Sequence, residues 1–175
     1  MTDYSVCIDF LLTRRSIRRF EDRDVPDDVI KKILDVARFA PSARNRQPWV
    51  FIVVRDKGTL EKLASLHHGA APLRNAPVAI VVACNHEESS VSYQVDCACA
   101  SMYIMLAAHA LGLGSVWIQA LRNPMEIREA VGLPENYTPV SIIALGYPAE
   151  KPEPKPRKSL EEIAFRERYG VKFVE

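Results

Sequence analysis

The chain has 175 residues, of which 48% are hydrophobic and 26% are charged, and its formal net charge is +1. This composition excludes a disordered chain, and the length suits one domain with a sizeable core, so we expect a single globular domain over residues 1–175. The nearly neutral total charge argues against a nucleic-acid binder, which usually carries a broad basic surface.

Neither a secretory signal nor a membrane span is predicted. At the N-terminus an acidic residue precedes a short apolar run and arginines follow it, which is the reverse of a secretory signal. The longest apolar run, Cys97–Leu113, is shorter than the roughly 20 residues that span a bilayer and contains Ser101 and His109. We interpret this run as a buried helix and expect a cytoplasmic protein without membrane contact.

Hydrophobic periodicity predicts an α+β fold, with about four core strands and helices on both faces. We expect the strands to form a central mixed sheet of about four to five strands. The strand at Val78–Cys84 is apolar throughout, which is typical of a central strand. In chain order, the predicted elements are a helix at Asp27–Phe39, a strand at Trp49–Arg55, a helix at Leu60–His67 capped by Thr59, the strand at Val78–Cys84, a helix at Ser92–Leu111 buried all round, a strand at Ser115–Gln119, a helix capped by Asn123 with Glu126 completing a capping box, and a strand at Thr138–Gly146.

The C-terminal segment, Glu150–Glu175, is predicted to be an arm that wraps a partner subunit. Four prolines between Pro148 and Pro156 hold its start extended, without internal hydrogen bonds. A capping box at Ser159–Glu162 then opens a short helix, and "VKFVE" ends the chain as an edge strand. Apolar side chains in such an arm need a partner surface, and a second copy of the chain supplies one.

The cysteines give no sign of a metal site. They lie at Cys7, Cys84, Cys97 and Cys99, and none forms a CxxC pair. On a helix Cys97 and Cys99 point about 200° apart, so they cannot hold one metal together. We interpret the four as small core-filling thiols in a reducing compartment.

The stretch "TRRSIRRF" concentrates positive charge in an otherwise nearly neutral chain. If it is extended, Arg14, Ser16 and Arg18 share one side and Ile17 faces the core. Two guanidiniums that flank a hydroxyl suit a phosphate. The alternative is a solvated basic turn with surface ion pairs to the carboxylates of residues 21–24, and this stretch alone leaves both open. Arg15 and Arg19 are expected mainly at the surface.

The stretch "APSARNRQPW", residues 40–49, is a polar loop between a predicted helix and a core strand. Ser42, Asn45 and Gln47 can donate to or accept from the edge of a heteroaromatic ring. The alternative is an ordinary turn, in which the two prolines end the helix and begin the strand.

Taken together, these stretches resemble the nitroreductase family of FMN-dependent NAD(P)H oxidoreductases, over nearly the whole chain. Each motif is weak alone, and their order and spacing make the set specific. The motifs are "RRSIRRF" near the start, "PSARNRQPW" after the first long predicted helix, "AAHALGLGSVWIQAL" (Ala107–Leu121), "IIALGYP" (Ile142–Pro148) and "KPRK" (Lys155–Lys158).

The resemblance implies a nitroreductase-like fold, a homodimer, an FMN cofactor and a set of FMN contacts. It places Arg18 near the N1–O2 edge of the flavin. It assigns the flavin phosphate to Arg14, Arg15 (through its backbone), Ser16 and Arg157. It implies that four residues of the polar loop contact the flavin of the other subunit, namely Pro41, Ser42, Ala43 and Asn45. It also implies that one backbone segment passes along the flavin, where an N–H can donate to N5. This segment is Val116, Trp117, Ile118 and Gln119.

The loop "HHGAAPLRNAP" departs from the family pattern, because many members carry polar or basic flavin contacts before the second strand. His67 and His68 either reach the site or are paired surface histidines, and flavin contact from this loop stays open.

The implied activity needs no obligatory catalytic side chain, because the flavin carries the chemistry. Hydride passes from NAD(P)H through flavin N5 to a small acceptor such as a quinone or a nitroaromatic, in a ping-pong sequence. The alternatives are a flavin-binding carrier or sensor without turnover, and a small anion- or nucleic-acid-binding module built on the arginines.

Overall fold

The computed structural model describes residues 4–173, and for Tyr4 the backbone only. Two short 3-10 turns, Ala43–Asn45 and His68–Arg74, lie between the regular elements. The helices and strands are α1 (Tyr4–Thr13), α2 (Asp27–Ala37), β1 (Trp49–Val54), α3 (Lys57–Ala64), β2 (Val78–Asn85), α4 (Tyr93–Ala110), β3 (Gly114–Gln119), α5 (Pro124–Val131), β4 (Tyr137–Gly146) and α6 (Leu160–Ile163). Across residues 4–173, every helix is too short or too polar to cross a bilayer.

The four strands form one sheet in the order β1-β2-β4-β3. Every residue of β2 is buried, which confirms the prediction of a central strand. All three strand pairings are antiparallel, so the predicted mixed sheet is corrected to an antiparallel one. Apolar runs reveal where strands lie but carry no information about their relative direction, which depends on the connections.

Helices cover both faces of the sheet, as predicted. Alternate residues of β2 point to opposite faces, so Ile80 and Val82 pack against α2 and α4, whereas Ala79 and Val81 pack against α3 and α5. Each fully buried aliphatic side chain contributes roughly 1.5–3 kcal/mol relative to an exposed one. The two apolar layers therefore hold the helices on the sheet.

The sequence did not predict α1, and it predicted α4 to be buried on all sides. In the single chain α4 leaves Val95 64% and Met102 40% exposed. The helix α1 leaves four large apolar side chains exposed, at Val6, Ile8, Leu11 and Leu12. Four large apolar side chains of α1 and two of α4 are therefore uncovered within one chain.

The ends of two helices differ from their predicted positions. The helix α2 ends at Ala37, two residues before the predicted Phe39. The helix α3 begins at Lys57, because the N-cap is Asp56, whose carboxylate accepts a hydrogen bond from the Thr59 backbone N–H at 2.7 Å. An Asp at the N-cap satisfies one of the unpaired N–H groups of the first turn, and a Thr three positions later is a weaker signal.

The two predicted capping boxes have different outcomes. At α6, Ser159 and Glu162 form both reciprocal bonds, which confirms the prediction. At α5, Asn123 is the N-cap without a side-chain cap bond, and its Nδ2 instead donates to Glu126 Oε1 at 3.2 Å. The capping box predicted at Asn123 and Glu126 is therefore absent.

The expectation of four core-filling thiols is wrong. Cys84 of β2 and Cys97 of α4 are both fully buried and form a disulfide, with their Cα atoms 6.0 Å apart. Cys7 is exposed and Cys99 is half-buried, and both are free thiols. Sequence spacing compared only the two cysteines within one helix, whereas the bond depends on the packing of α4 against the sheet.

The arm lies outside the sheet of its own chain. Residues 151–159 form neither helix nor strand, and α6 follows them. A single bridge then pairs Phe165 with Lys172. Within residues 171–173 the predicted edge strand has no pairing with the sheet, and its last two residues lie outside the described residues.

Candidate functional site

The arginine stretch is extended and lies against the sheet. The Ile17 backbone N–H donates to the Ser115 carbonyl at 3.0 Å, at the start of β3, and Phe20 forms a bridge with Pro148, just after β4. Ile17 is buried, as predicted. The residues beside Ile17 therefore face outward from the sheet, at the edge formed by β3.

Two glycines allow this close approach. A Cβ at Gly114 would lie 2.8 Å from the side chain of Ile17, and a Cβ at Gly146 would lie 2.9 Å from Phe20. The nearby Gly112 has a φ of 75°, in the left-handed region that glycine adopts without strain. Gly114 has a different role, since it provides space rather than a turn.

A cavity of about 460 Å³ lies beside the start of the arginine stretch. Arg14, Arg15 and His109 line one side of it, and residues 150–154 of the arm line another. The His109 ring stacks on Phe10, with centroids 4.9 Å apart. Burial lowers the pKa of His109, and the guanidiniums of Arg14 and Arg15 lower it further, although a backbone hydrogen bond at Phe10 opposes the shift.

The guanidinium of Arg14 is not fully hydrogen-bonded. Among residues 4–173 its Nη1 is the one buried side-chain nitrogen or oxygen atom without a hydrogen-bond partner. Burial lowers the pKa of Arg14, and the guanidiniums of Arg15 and then Arg157 lower it further. A buried N–H group without a hydrogen-bond partner is unfavourable, and clustered guanidiniums are the groups that recognise phosphate. The residues present therefore fit a phosphate-bearing ligand.

The alternative of a basic turn with surface ion pairs finds no support. Throughout residues 4–173, none of the stretch's guanidinium groups has a carboxylate oxygen within 4.0 Å, and the ion pairs present involve other residues. Arg19 is exposed, as predicted. Arg15 was also predicted mainly at the surface, but it is half-buried, and its Nη1 donates to the Leu12 carbonyl at 2.6 Å and to the Arg14 carbonyl at 2.9 Å. It thereby satisfies a carbonyl at the end of α1.

Arg18 lines a different cavity from Arg14. It lines a second cavity of about 340 Å³ together with His68 and Gly69. Its backbone N–H donates to Glu150 Oε1 at 2.5 Å. Sequence reasoning missed Glu150, because a single carboxylate in a proline-rich arm carries no local signal of a contact 132 positions away.

The backbone predicted to line the flavin, residues 116–119, lies in β3. The side chains of Val116 and Ile118 are buried, whereas Trp117 is half-buried and Gln119 is exposed. His67 Nε2 lies 3.1 Å from the Gln119 carbonyl oxygen. His67 is therefore more than a surface residue, because it contacts the end of this strand.

The residues that flank the polar loop and the buried residues of the arginine stretch belong to different apolar layers. Ala40 and Trp49, which flank the loop, belong to the apolar layer of α2 and α4, whereas Ile17 and Phe20 belong to the layer of α3 and α5. The hydrogen bonds between the loop and side chains go to Asp96 or stay within the loop, and among residues 4–173 none reaches the arginines. The loop residues predicted to contact the flavin of the other subunit lie in this segment, and they are Pro41, Ser42, Ala43 and Asn45.

The loop holds an unusual backbone conformation. Arg44, Asn45 and Gln47 have φ values of 54°, 55° and 50°, in the left-handed region that non-glycine residues seldom adopt. Backbone strain of this kind is concentrated at functional sites. Surrounding contacts must therefore hold the loop in this conformation.

Comparison with known proteins identifies the family. Residues 11–72 and 66–147 match the sequence profile of the nitroreductase family. The chain belongs to this family.

Two relatives and one solved structure illustrate the similarity. A Methanothermobacter thermautotrophicus protein named "Putative NADH dehydrogenase/NAD(P)H nitroreductase" is 46% identical over 83% of this chain and 78% of its own. A Bacillus subtilis protein named "FMN reductase [NAD(P)H]" is 30% identical over 91% of this chain and 72% of its own. The structure of an FMN-dependent nitroreductase from Clostridium difficile superimposes with a TM-score of 0.80 and 39% identity, over 85% of this chain and 91% of the other.

Proposed function

We propose that this chain is an FMN-dependent NAD(P)H oxidoreductase, which passes hydride from NAD(P)H through flavin N5 to a small acceptor such as a quinone or a nitroaromatic, in a ping-pong sequence. Family membership supports the reaction class, and the named relatives include an FMN reductase and an FMN-dependent nitroreductase. The observation that carries the proposal is the buried Nη1 of Arg14, which has no hydrogen-bond partner, beside two further arginines.

In this proposal the phosphate of FMN supplies the partner that Arg14 lacks. Arg14 and Arg157 donate to the phosphate oxygens, the Ser16 hydroxyl donates between them, and Arg15 contributes its backbone. The guanidinium of Arg15 already serves the carbonyl groups at the end of α1, which is consistent with a backbone role.

The remaining contacts concern the ring. When bound, FMN supplies the hydride-accepting N5. The exposed guanidinium of Arg18 places positive charge near the N1–O2 edge, where it stabilises negative charge. The backbone of residues 116–119 lies along the ring, and the contact of His67 with Gln119 fixes the end of that strand.

The same proposal includes a homodimer with its sites at the subunit interface. Exposed apolar side chains of α1 and α4 need a cover. Within the arm, Ile163 and Phe173 are also exposed. We propose that a second copy covers these surfaces, that Glu150–Glu175 wraps it, and that each chain's polar loop reaches its partner's flavin. A cytoplasmic location, where NAD(P)H is available, belongs to the same proposal.

Steady-state kinetics of FMN-loaded protein test this function. With NAD(P)H and a quinone varied against each other, double-reciprocal plots are expected to be parallel, because both substrates use one cleft in turn. Intersecting lines would contradict the shared cleft. Absence of turnover with every acceptor tried, despite tight FMN binding, would favour the carrier or sensor instead.

A further inference from the structure

A buried carboxyl group links α4 to the polar loop. Asp96 lies in the first turn of α4 and is 4% exposed. Its Oδ1 accepts a hydrogen bond from the Ala43 backbone N–H at 2.9 Å, and its Oδ2 accepts one from Ser89 Oγ at 2.8 Å. Both oxygens are therefore used, and one of them reaches 53 positions back along the chain.

The loop needs such an anchor. Its three left-handed residues are strained, and such conformations persist only when the surroundings hold them. Within the loop, the Gln47 backbone N–H donates to Ser42 Oγ at 2.9 Å, and the Asn45 backbone N–H donates to the Ser42 carbonyl at 3.0 Å. These bonds shape the loop internally, whereas the bond from Ala43 to Asp96 fixes it to the body of the domain.

The position of Asp96 is itself well fixed. Its backbone N–H donates to the Ser92 carbonyl at 2.8 Å, within the first turn of the helix. The next residue, Cys97, is joined by the disulfide to Cys84 of the central strand β2. The anchor is thus tied directly to the sheet.

We propose that Asp96 is a positioning residue, which holds residues 41–45 in the shape that contacts the flavin ring. This inference rests on the proposed function. Without the anchor the loop visits other conformations, and the apparent dissociation constant of FMN rises in proportion to the loss of the binding-competent fraction.

Three variants separate this role from general stability. Asp96→Ala removes the acceptor, whereas Asp96→Asn keeps an amide oxygen for the Ala43 N–H and an NH₂ group for the Ser89 hydroxyl. Ser101→Ala is the matched control on the same helix, because buried Ser101 donates to the Cys97 carbonyl at 2.7 Å and lies 2.7 Å from Ser141 Oγ. The Ser101→Ala substitution should weaken the packing of α4 without removing any contact of the loop.

The measurements are the FMN dissociation constant and, in protein without FMN, the hydrogen exchange of the Ala43 amide. For Asp96→Ala we expect a dissociation constant raised at least about tenfold, the effect of losing a hydrogen bond to a carboxylate, and loss of Ala43 protection. We expect Asp96→Asn to stay within about threefold of the wild type and Ser101→Ala to bind normally despite a lower melting temperature. Wild-type affinity and protection in Asp96→Ala, or an equal loss of affinity in Ser101→Ala, would overturn the proposal.

A variant on the loop side keeps the test decisive if Asp96→Ala does not fold. Ala43→Pro removes the donor, and the extended backbone of Ser42, with φ −141° and ψ 154°, accepts a following proline. We expect faster exchange of the Gln47 amide and weaker FMN binding, and unchanged values would overturn the anchor. If wild-type protein bound no FMN, the proposed function would fail, and the exchange of the Ala43 amide would still decide whether Asp96 holds the loop.

Discussion

Replacing Arg14 with Ala is expected to weaken FMN binding while sparing the protein without FMN. The phosphate loses a charge-assisted hydrogen bond, which is worth roughly 1.5–3 kcal/mol. Since 1.4 kcal/mol corresponds to about a tenfold change in affinity, the dissociation constant should rise roughly 10- to 150-fold.

The effect on stability has the opposite sign to that of an ordinary loss of contacts. The buried Nη1 of Arg14 has no protein partner among residues 4–173, so its removal relieves an unfavourable burial when FMN is not bound. The variant should therefore melt at or above the wild-type temperature without FMN, and below it with saturating FMN.

Fluorescence quenching of FMN measures the affinity, and thermal melting with and without FMN measures the stability. Arg19→Ala is the matched control, because Arg19 belongs to the same stretch but is exposed. Equal dissociation constants for the two variants would refute the assignment of the phosphate to Arg14. A large loss of melting temperature in Arg14→Ala without FMN would refute the argument about its unpaired charge.

Three further predictions concern other parts of the molecule. The pKa of His109 is lowered on folding, so the unfolded chain takes up its proton first and the free energy of unfolding should fall as the pH drops below about 6.5. Urea unfolding across this range should show a weaker pH dependence in His109→Gln, and identical slopes would contradict the assignment. Deleting everything after Glu150 should give monomeric or aggregated protein with little FMN, and a soluble dimer with full FMN in sedimentation would show that the arm is dispensable. Reducing the disulfide between Cys84 and Cys97 should lower the unfolding free energy by roughly 2–4 kcal/mol, and a melting curve unaffected by reductant, with the bond shown to be reduced, would contradict this.

The apolar pattern predicted the parts of the fold that depend on burial. The central position of β2 and the inward direction of Ile17 were confirmed, because a run without polar residues and an apolar residue between arginines both record where water is excluded. The ends of elements were less certain, as the cap at Asp56 illustrates.

Features that depend on distant contacts were not predictable in the same way. The apolar residues of α1 lie mostly at its surface in the single chain, so they show no stripe that faces a core. The disulfide, the contact of Glu150 with Arg18 and the anchoring role of Asp96 all join segments far apart in sequence. One feature of the sequence pointed to a special role of Asp96, since it is the acidic residue at the beginning of a long apolar helix.

The central claim is that this chain takes hydride from NAD(P)H through bound FMN. Anaerobic titration of FMN-loaded protein with NADH and with NADPH tests it most directly, followed by addition of a quinone. The account predicts that at least one nicotinamide bleaches the yellow absorption of bound FMN, with one equivalent per flavin, and that the quinone restores it. FMN that stays yellow in excess NADH and NADPH would contradict the claim.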